Sequence, residues 1–281
     1  MEDSYRRQVG LQETASGIYA YIGEDGVANA GFAVGERGVL MIDSGMSPAQ
    51  GEELLQAVRR VTDKPIRILI NTHYHGDHVL GNEVFSPPAL ILSHRKTWST
   101  LKKLGSQYVE AFASRRPPNL ADEVRKARLI LPEVLIDSSL SLDMKGLRAD
   151  VHYYGEAHTE GDLVVYFPDQ GVLFGGDLVL NRVVPPVLGG SLLGWIETLK
   201  TISSLKITSI VPGHGPIGGD TLIAESKGYL TELLGAIRLA RSEGKDLMGA
   251  IAGFNKEPYA GWRGVERIEE GLRIAWEQLS S

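Results

Sequence analysis

The 281-residue chain contains no cysteine. That absence removes disulfides, thiolate ligands and cysteine nucleophiles together, and leaves any metal chemistry to imidazole and carboxylate donors. Long apolar runs are missing as well: no stretch of about 18 apolar residues occurs, so no membrane span is expected. No charged-then-apolar leader is visible at Met1-Glu2-Asp3-Ser4-Tyr5-Arg6-Arg7, and the chain as given is read as cytoplasmic. Positive charge is scarce, with 29 Lys and Arg against 35 Asp and Glu and a net charge of -6. Polyanion binding runs on Lys and Arg neutralising phosphates. The one dense basic cluster, Arg115-Arg116 with Arg125, Lys126 and Arg128, is broken by prolines and acids, so nucleic acid is not an expected partner. A small anion is not excluded. There is no G-x-S-x-G elbow and no phosphate-binding Gly-Lys-Ser/Thr loop, which leaves serine-nucleophile and nucleotide-triphosphate chemistry without footing. Gly213-His214-Gly215-Pro216-Ile217-Gly218 matches G-x-G-x-x-G by spacing, but Pro216 in the turn and His214 beside it argue against a dinucleotide.

What the chain does have is histidine in one place. Of its 7 histidines, three stand with a carboxylate in Asn71-Thr72-His73-Tyr74-His75-Gly76-Asp77-His78. These are donors that suit zinc, iron or manganese. Pro65-Ile66-Arg67-Ile68-Leu69-Ile70 before them reads as a buried strand, and in extended backbone His73 and His75 share a side. Gly76 then lets the chain turn, so that one loop feeds a first cation from His73 and His75 and a second from Asp77 and His78. Three further ligand-type residues follow strand-like runs: His158 in Gly155-Glu156-Ala157-His158, Asp177 in Gly175-Gly176-Asp177, and His214 in Pro212-Gly213-His214-Gly215.

With these motifs in this order, the chain resembles the metallo-β-lactamase superfamily from about Gly17 to about Pro216. The resemblance implies an α/β fold, an αβ/βα four-layer sandwich of two mixed β-sheets with outer helices, and a site at one edge between the sheets. It makes His73, His75 and His158 ligands of one zinc ion and Asp77, His78 and His214 ligands of a second, with Asp177 bridging; iron or manganese suits the same donors. Asp43 resembles the superfamily's aspartate that orients the first histidine pair. Thr72, Thr159 and Asp162 are further candidates to receive the outer N–H of a ligating imidazole. His94 and His152 are read as structural.

Two cations in one site lower the pKa of a shared water and polarise a carbonyl. Hydrolysis of a C(=O)–N, C(=O)–O or C(=O)–S bond in a small molecule is therefore the expected reaction, with Asp77 as the acid–base residue. A β-lactam, lactone, ester or thioester fits. A glyoxalase II-like thioesterase and an iron-dependent oxidoreductase of the same superfamily are the alternatives. Metallo-β-lactamases of the best-known class place Cys where Asp177 stands, and glyoxalase II follows its last histidine with an acidic-aromatic pair where this chain has Gly215-Pro216. The apolar loop Val183 to Trp195, with Tyr74, Tyr154 and Trp195, is the expected wall of a substrate pocket.

Strands are expected near 17–22, 28–34 and 38–43, a helix over 47–62, a helical excursion over 95–128, four strands within 137–177 and a helix over 194–205. Residues 1–219 form the expected metal domain and 220–281 a helical extension. That tail carries Trp262, Ile268, Leu272, Ile274, Trp276 and Leu279 as an apolar face to bury, either on its own domain or, in a homodimer, on a second copy.

Overall fold

The computed structural model describes residues 8–24, 27–187 and 189–280. The leader reading at residues 1–7 therefore lies outside the described residues, as does Leu188 of the apolar loop. Among the described residues twelve strands fall into two sheets. The first has seven, β1 (Gly10–Ala15), β2 (Ile18–Ile22), β3 (Ala30–Gly35), β4 (Gly38–Ile42), β5 (Ile66–Ile70), β6 (Leu90–His94) and β7 (Val134–Ile136), paired in chain order. Pairing is antiparallel from β1 to β4 and parallel from β4 to β7. The second runs β12-β11-β10-β9-β8, from β8 (Ser139–Asp143), β9 (Arg148–His152), β10 (Val164–Phe167), β11 (Val172–Gly176) and β12 (Ser209–Pro212), with only β11 and β12 parallel.

Period-two alternation assigns each face. Leu40 and Ile42 of β4 face the second sheet, where they pack with Ile70, Val165, Phe167, Val172 and Phe174. Val39 and Met41 face outward onto Leu54 and Val58 of α1 (Pro48–Val61), which the Ser47 hydroxyl caps at Gln50 N. On the other flank Val164, Tyr166 and Leu173 turn outward to α7 (Leu192–Ile202), α8 (Thr221–Ser242) and α10 (Ile268–Gln278), whose Trp195, Leu199, Leu233, Ile237, Ile268 and Leu272 join one apolar cluster. α9 (Leu247–Gly253) adds Ala250 to it. The result is two mixed sheets face to face with helices outside.

In the chain between β6 and β7 the excursion forms three helices, α4 (Arg95–Leu104), α5 (Gln107–Ala113) and α6 (Pro118–Arg125). They close on Val79 and Leu80, beside two single-turn helices, α2 (Gly76–Val79) and α3 (Asn82–Phe85). Among the described residues no helix is long and apolar enough to cross a membrane.

Candidate metal centre

Parallel strands place their C-terminal ends at one edge of the sandwich, and the loops leaving β4, β5, β11 and β12 carry Asp43, His73 to His78, Asp177 and His214. His158 arrives on the turn after β9. The seven ligand-type residues come together in two groups: ligand atoms of His73, His75, His158 and Asp177 lie within 4.8 Å of one another, as do those of Asp77, His78 and His214.

Asp177 joins the groups. Its Oδ2 lies 3.8 Å from His73 Nε2 and 3.4 Å from His158 Nε2, whereas its Oδ1 lies 3.3 Å from His78 Nε2 and 3.4 Å from His214 Nε2. His75 turns Nδ1, not Nε2, toward His158 Nε2 at 3.0 Å. Asp77 Oδ2 is 3.5 Å from His214 Nε2. Ligands of a tetrahedral cation at about 2.0–2.2 Å sit about 3.3–3.6 Å apart, and the spacings found here, 3.0 to 3.8 Å, bracket that range. Nε2 of His73, Nε2 of His78 and Oδ1 of Asp177 are buried without a hydrogen-bond partner. Such inward-facing lone pairs are costly unless a cation takes them, and the donor set fits two borderline metal ions.

The outer nitrogens explain why these atoms face inward. His78 Nδ1–H donates to Asp43 Oδ2 at 2.7 Å. Thr72 donates to both Asp43 oxygens, from N and from Oγ1, each at 2.8 Å. With its own proton spent on Asp43, the Thr72 hydroxyl accepts from His73 Nδ1–H at 3.1 Å. Both imidazoles thus spend Nδ1 on an outer partner and turn Nε2 to the site. Asp43 does this from a left-handed backbone (φ 60°) and with 2% of its surface exposed. The expectation that it orients the first histidine pair changes accordingly: it holds His78 directly and reaches His73 through Thr72.

Burial lowers His73 well below its ordinary value, takes His75 down to about 4 and His158 to about 3. These are neutral imidazoles at any physiological pH, the ligating form. For His78 burial acts in the same sense but is outweighed by Asp43 and Asp177, and for His214 by Asp177 and Asp77, so both are raised. Burial would raise Asp77 and Asp177; the facing histidines overcome it and hold both carboxyls below the usual range.

Thr159 and Asp162 bond to each other: Thr159 N and Oγ1 donate to the two Asp162 oxygens, each at 2.7 Å. The pair closes the turn that presents His158. Trp195 is 1% exposed, donates from Nε1 to Leu178 O at 2.9 Å and lays its ring edge-on to His158 with centroids 4.9 Å apart. It is a buried brace behind a ligand rather than an open pocket wall. Ser191 N in the same apolar loop donates to Ala157 O at 2.9 Å. Tyr154 stacks on His152 at 5.3 Å and is not brought to the seven residues. Tyr74 is: half-buried, its ring lies 4.7 Å from that of His75. His94 caps α4 by accepting from Lys96 N and stacks on Tyr153 at 3.8 Å.

Two groups of residues escaped sequence reasoning. Buried Asn29 donates from Nδ2 to Pro212 O and Gly215 O, both at 2.8 Å, while its N donates to Gly213 O at 2.7 Å. It clamps the turn that carries His214. In that turn a Cβ on Gly213 would run into Asp177 Oδ1, which is why glycine stands there. Asn71 and Asn82 exchange amide bonds at 3.0 and 2.9 Å, and Ser44 Oγ donates to Asn82 Oδ1 at 2.8 Å, tying the ends of the histidine loop together. A buried amide far from the motif in sequence gives no signal until its carbonyl partners are known.

The family description "Metallo-beta-lactamase superfamily" matches residues 23–214, and the chain belongs to that superfamily, whose members are hydrolases. It is 24% identical over 213 residues to a type 2 metallo-β-lactamase of Bacteroides fragilis, covering 74% of this chain and 76% of that one. It is 25% identical over 221 residues to a linear primary-alkylsulfatase of Pseudomonas sp., covering 67% of this chain but 42% of that longer one. The solved structure of a metallo-β-lactamase from Pontibacter korlensis superposes with a TM-score of 0.64 at 22% identity, over 80% of this chain and 99% of the other.

Proposed function

We propose that this protein is a dinuclear zinc hydrolase that cleaves a C(=O)–N, C(=O)–O or C(=O)–S bond of a small molecule, with β-lactams among the candidate substrates. The observation that carries the reading is Asp177, which turns one oxygen to each group of histidines. His73, His75 and His158 would hold one ion, Asp77, His78 and His214 the other. When bound, the pair supplies a water deprotonated near neutral pH and Lewis acidity toward the substrate oxygen.

The remaining work falls to the chain itself. Asp77 has a carboxyl held below the usual range and a side chain 14% exposed, so it is ionised and reachable at neutral pH. It takes a proton from the attacking water and returns it to the leaving group. Asp43 and Thr72 hold His78 and His73 by Nδ1 throughout. Tyr74, beside His75, lines the approach.

A second reading, hydrolysis of a sulfate ester, is supported by the 25% identity to the alkylsulfatase. A chromogenic panel of a cephalosporin, a lactone, a thioester and an alkyl sulfate, assayed on zinc-loaded protein, separates the two. The first reading expects turnover of a carbonyl substrate that falls at least ~10²-fold in kcat on Asp77→Asn, the scale of a positioned acid–base group. Turnover of the sulfate alone would replace it, and near-normal turnover by a metal-loaded Asp77→Asn would remove Asp77 from its role.

A further inference from the structure

The excursion over 95–125 carries arginines of two kinds. Arg95 is paired with Asp137 at 2.7 Å, Arg125 with Glu110 at 3.0 Å and, just beyond α6, Arg128 with Glu83 at 2.8 Å. Each is a peripheral ion pair. Arg115 and Arg116, in the turn between α5 and α6, have no carboxylate partner among the described residues. Their backbone N–H groups close that turn on Phe112 O and Ala113 O. Arg116 Nε is buried and makes no hydrogen bond. Withholding a guanidinium from the available acids, and burying part of it unpaired, costs stability that a structural role does not return.

Position supplies the reason. The Arg116 guanidinium lies over the Phe112 ring, 4.1 Å from its centroid, a cation–π contact that fixes a planar fork at little entropic cost. Phe112 in turn packs face-on to Gly76, where any Cβ would come within 2.7 Å of the ring. Gly76 stands between the ligand-type residues His75 and Asp77. Next to it, Tyr108 Oη donates to Tyr74 O at 3.1 Å, so α5 is fastened to the histidine loop at two points. The unpaired cation is therefore built into the wall of the metal centre on the side of Asp77.

We propose that Arg116 is a specificity residue that receives an oxyanion, a carboxylate or sulfate, carried by the substrate, with exposed Arg115 steering that anion toward the site. The proposal deepens the hydrolase reading and rests on it, by giving the substrate class a charge. A planar guanidinium matches the two oxygens of such a group in a way an ammonium does not.

The test is equilibrium binding, read by calorimetry without turnover, on zinc-loaded protein. The probes are phenylacetate, hexyl sulfate and the neutral phenylacetamide. Wild type, Arg116→Ala, Arg116→Lys and the remote control Arg128→Ala are compared, with thermal melts and metal content confirming that each variant is folded and loaded. At least one anion should bind wild type about ten-fold or more tighter than the amide, the scale of a charged hydrogen bond. Arg116→Ala should lose that margin, Arg116→Lys should recover part of it and Arg128→Ala should keep it. The anion with the larger margin tells carboxylate from sulfate. Anion binding by Arg116→Ala equal to that of wild type would overturn the proposal, as would an absent margin in wild type. A margin that depends on Arg116 in a protein that turns over no carbonyl substrate would sink the reaction assigned above and leave the anion site standing.

Discussion

Asn29 lies 183 and 186 residues from the two carbonyls its side-chain amide holds, those of Pro212 and Gly215. Its removal tests how a ligand is positioned by a group that touches no substrate. Asn29→Ala frees Pro212 O and Gly215 O in a buried turn, at about 1–3 kcal/mol for each unsatisfied group. Zinc titration of the variant should show uptake weakened at one site, the one that uses His214, and unchanged at the other; unchanged affinity at both sites would show that the His214 turn holds itself. Asp162 gives a second test, of sign. Burial raises its carboxyl to about 7, so the folded chain keeps a proton there that the unfolded chain releases near pH 4. Between those values the native state binds more protons, and this group's contribution to stability falls as pH rises, by at most about 1.4 kcal/mol per pH unit, levelling off above 7. Relative to Asp162→Asn, wild type should therefore lose stability from pH 4 to 7 in denaturant melts. A flat difference would contradict the assignment. Residues of this kind also mark the limit of reading from sequence. His73, His75, Asp77, His78, His158, Asp177 and His214 announce themselves because ligand spacing is a local property. The direction of Asp43, bonded to His78 and not to the first pair, depends on where β4 ends relative to β5, which only pairing decides.

Among the elements, those with strong periodicity or caps were legible. The helix expected over 47–62 is α1, begun by Ser47 and Pro48; the one expected over 194–205 starts earlier, at Leu192, because the Ser191 hydroxyl accepts from Gly194 N and caps it there. The four strands expected within 137–177 are β8 to β11. β1 was not visible: Gly10–Ala15 is an edge strand, GLQETA, only partly buried and without alternation. β7 spans three residues, too few for any period. The excursion over 95–128 is three packed helices whose Phe112 and Val109 share a cluster with Val79 and Leu80, a fixed wall against the histidine loop. The apolar loop before α7 read as pocket lining because its composition suits either role, and burial of Val183, Val184, Val187 and Trp195 makes it core. The tail's apolar face, with Ile268 and Leu272 fully buried, lies on α8 and the second sheet of its own chain. Leu272→Ala should cost about 2–5 kcal/mol in chemical denaturation, the range for a buried leucine. A loss under 1 kcal/mol would show that α10 contributes little to the sandwich.

At the scale of the molecule, the two sheets do one thing that neither does alone. The first delivers Asp43 and the His73 to His78 loop, the second His158, Asp177 and His214, and the candidate metal centre lies where their edges meet. Each group of ligands draws on both sheets, so metal uptake and the integrity of the sandwich are coupled. The proposed function requires Asp177 to serve two ions at once. Metal-stripped protein titrated with zinc, with bound metal counted by elemental analysis and stability followed by melting temperature, tests it most directly. Uptake should end at two equivalents per chain with a rise in melting temperature, and Asp177→Ala should lose binding at both sites, not one. Uptake that ends at one equivalent, or an Asp177→Ala variant that still binds two, would contradict it.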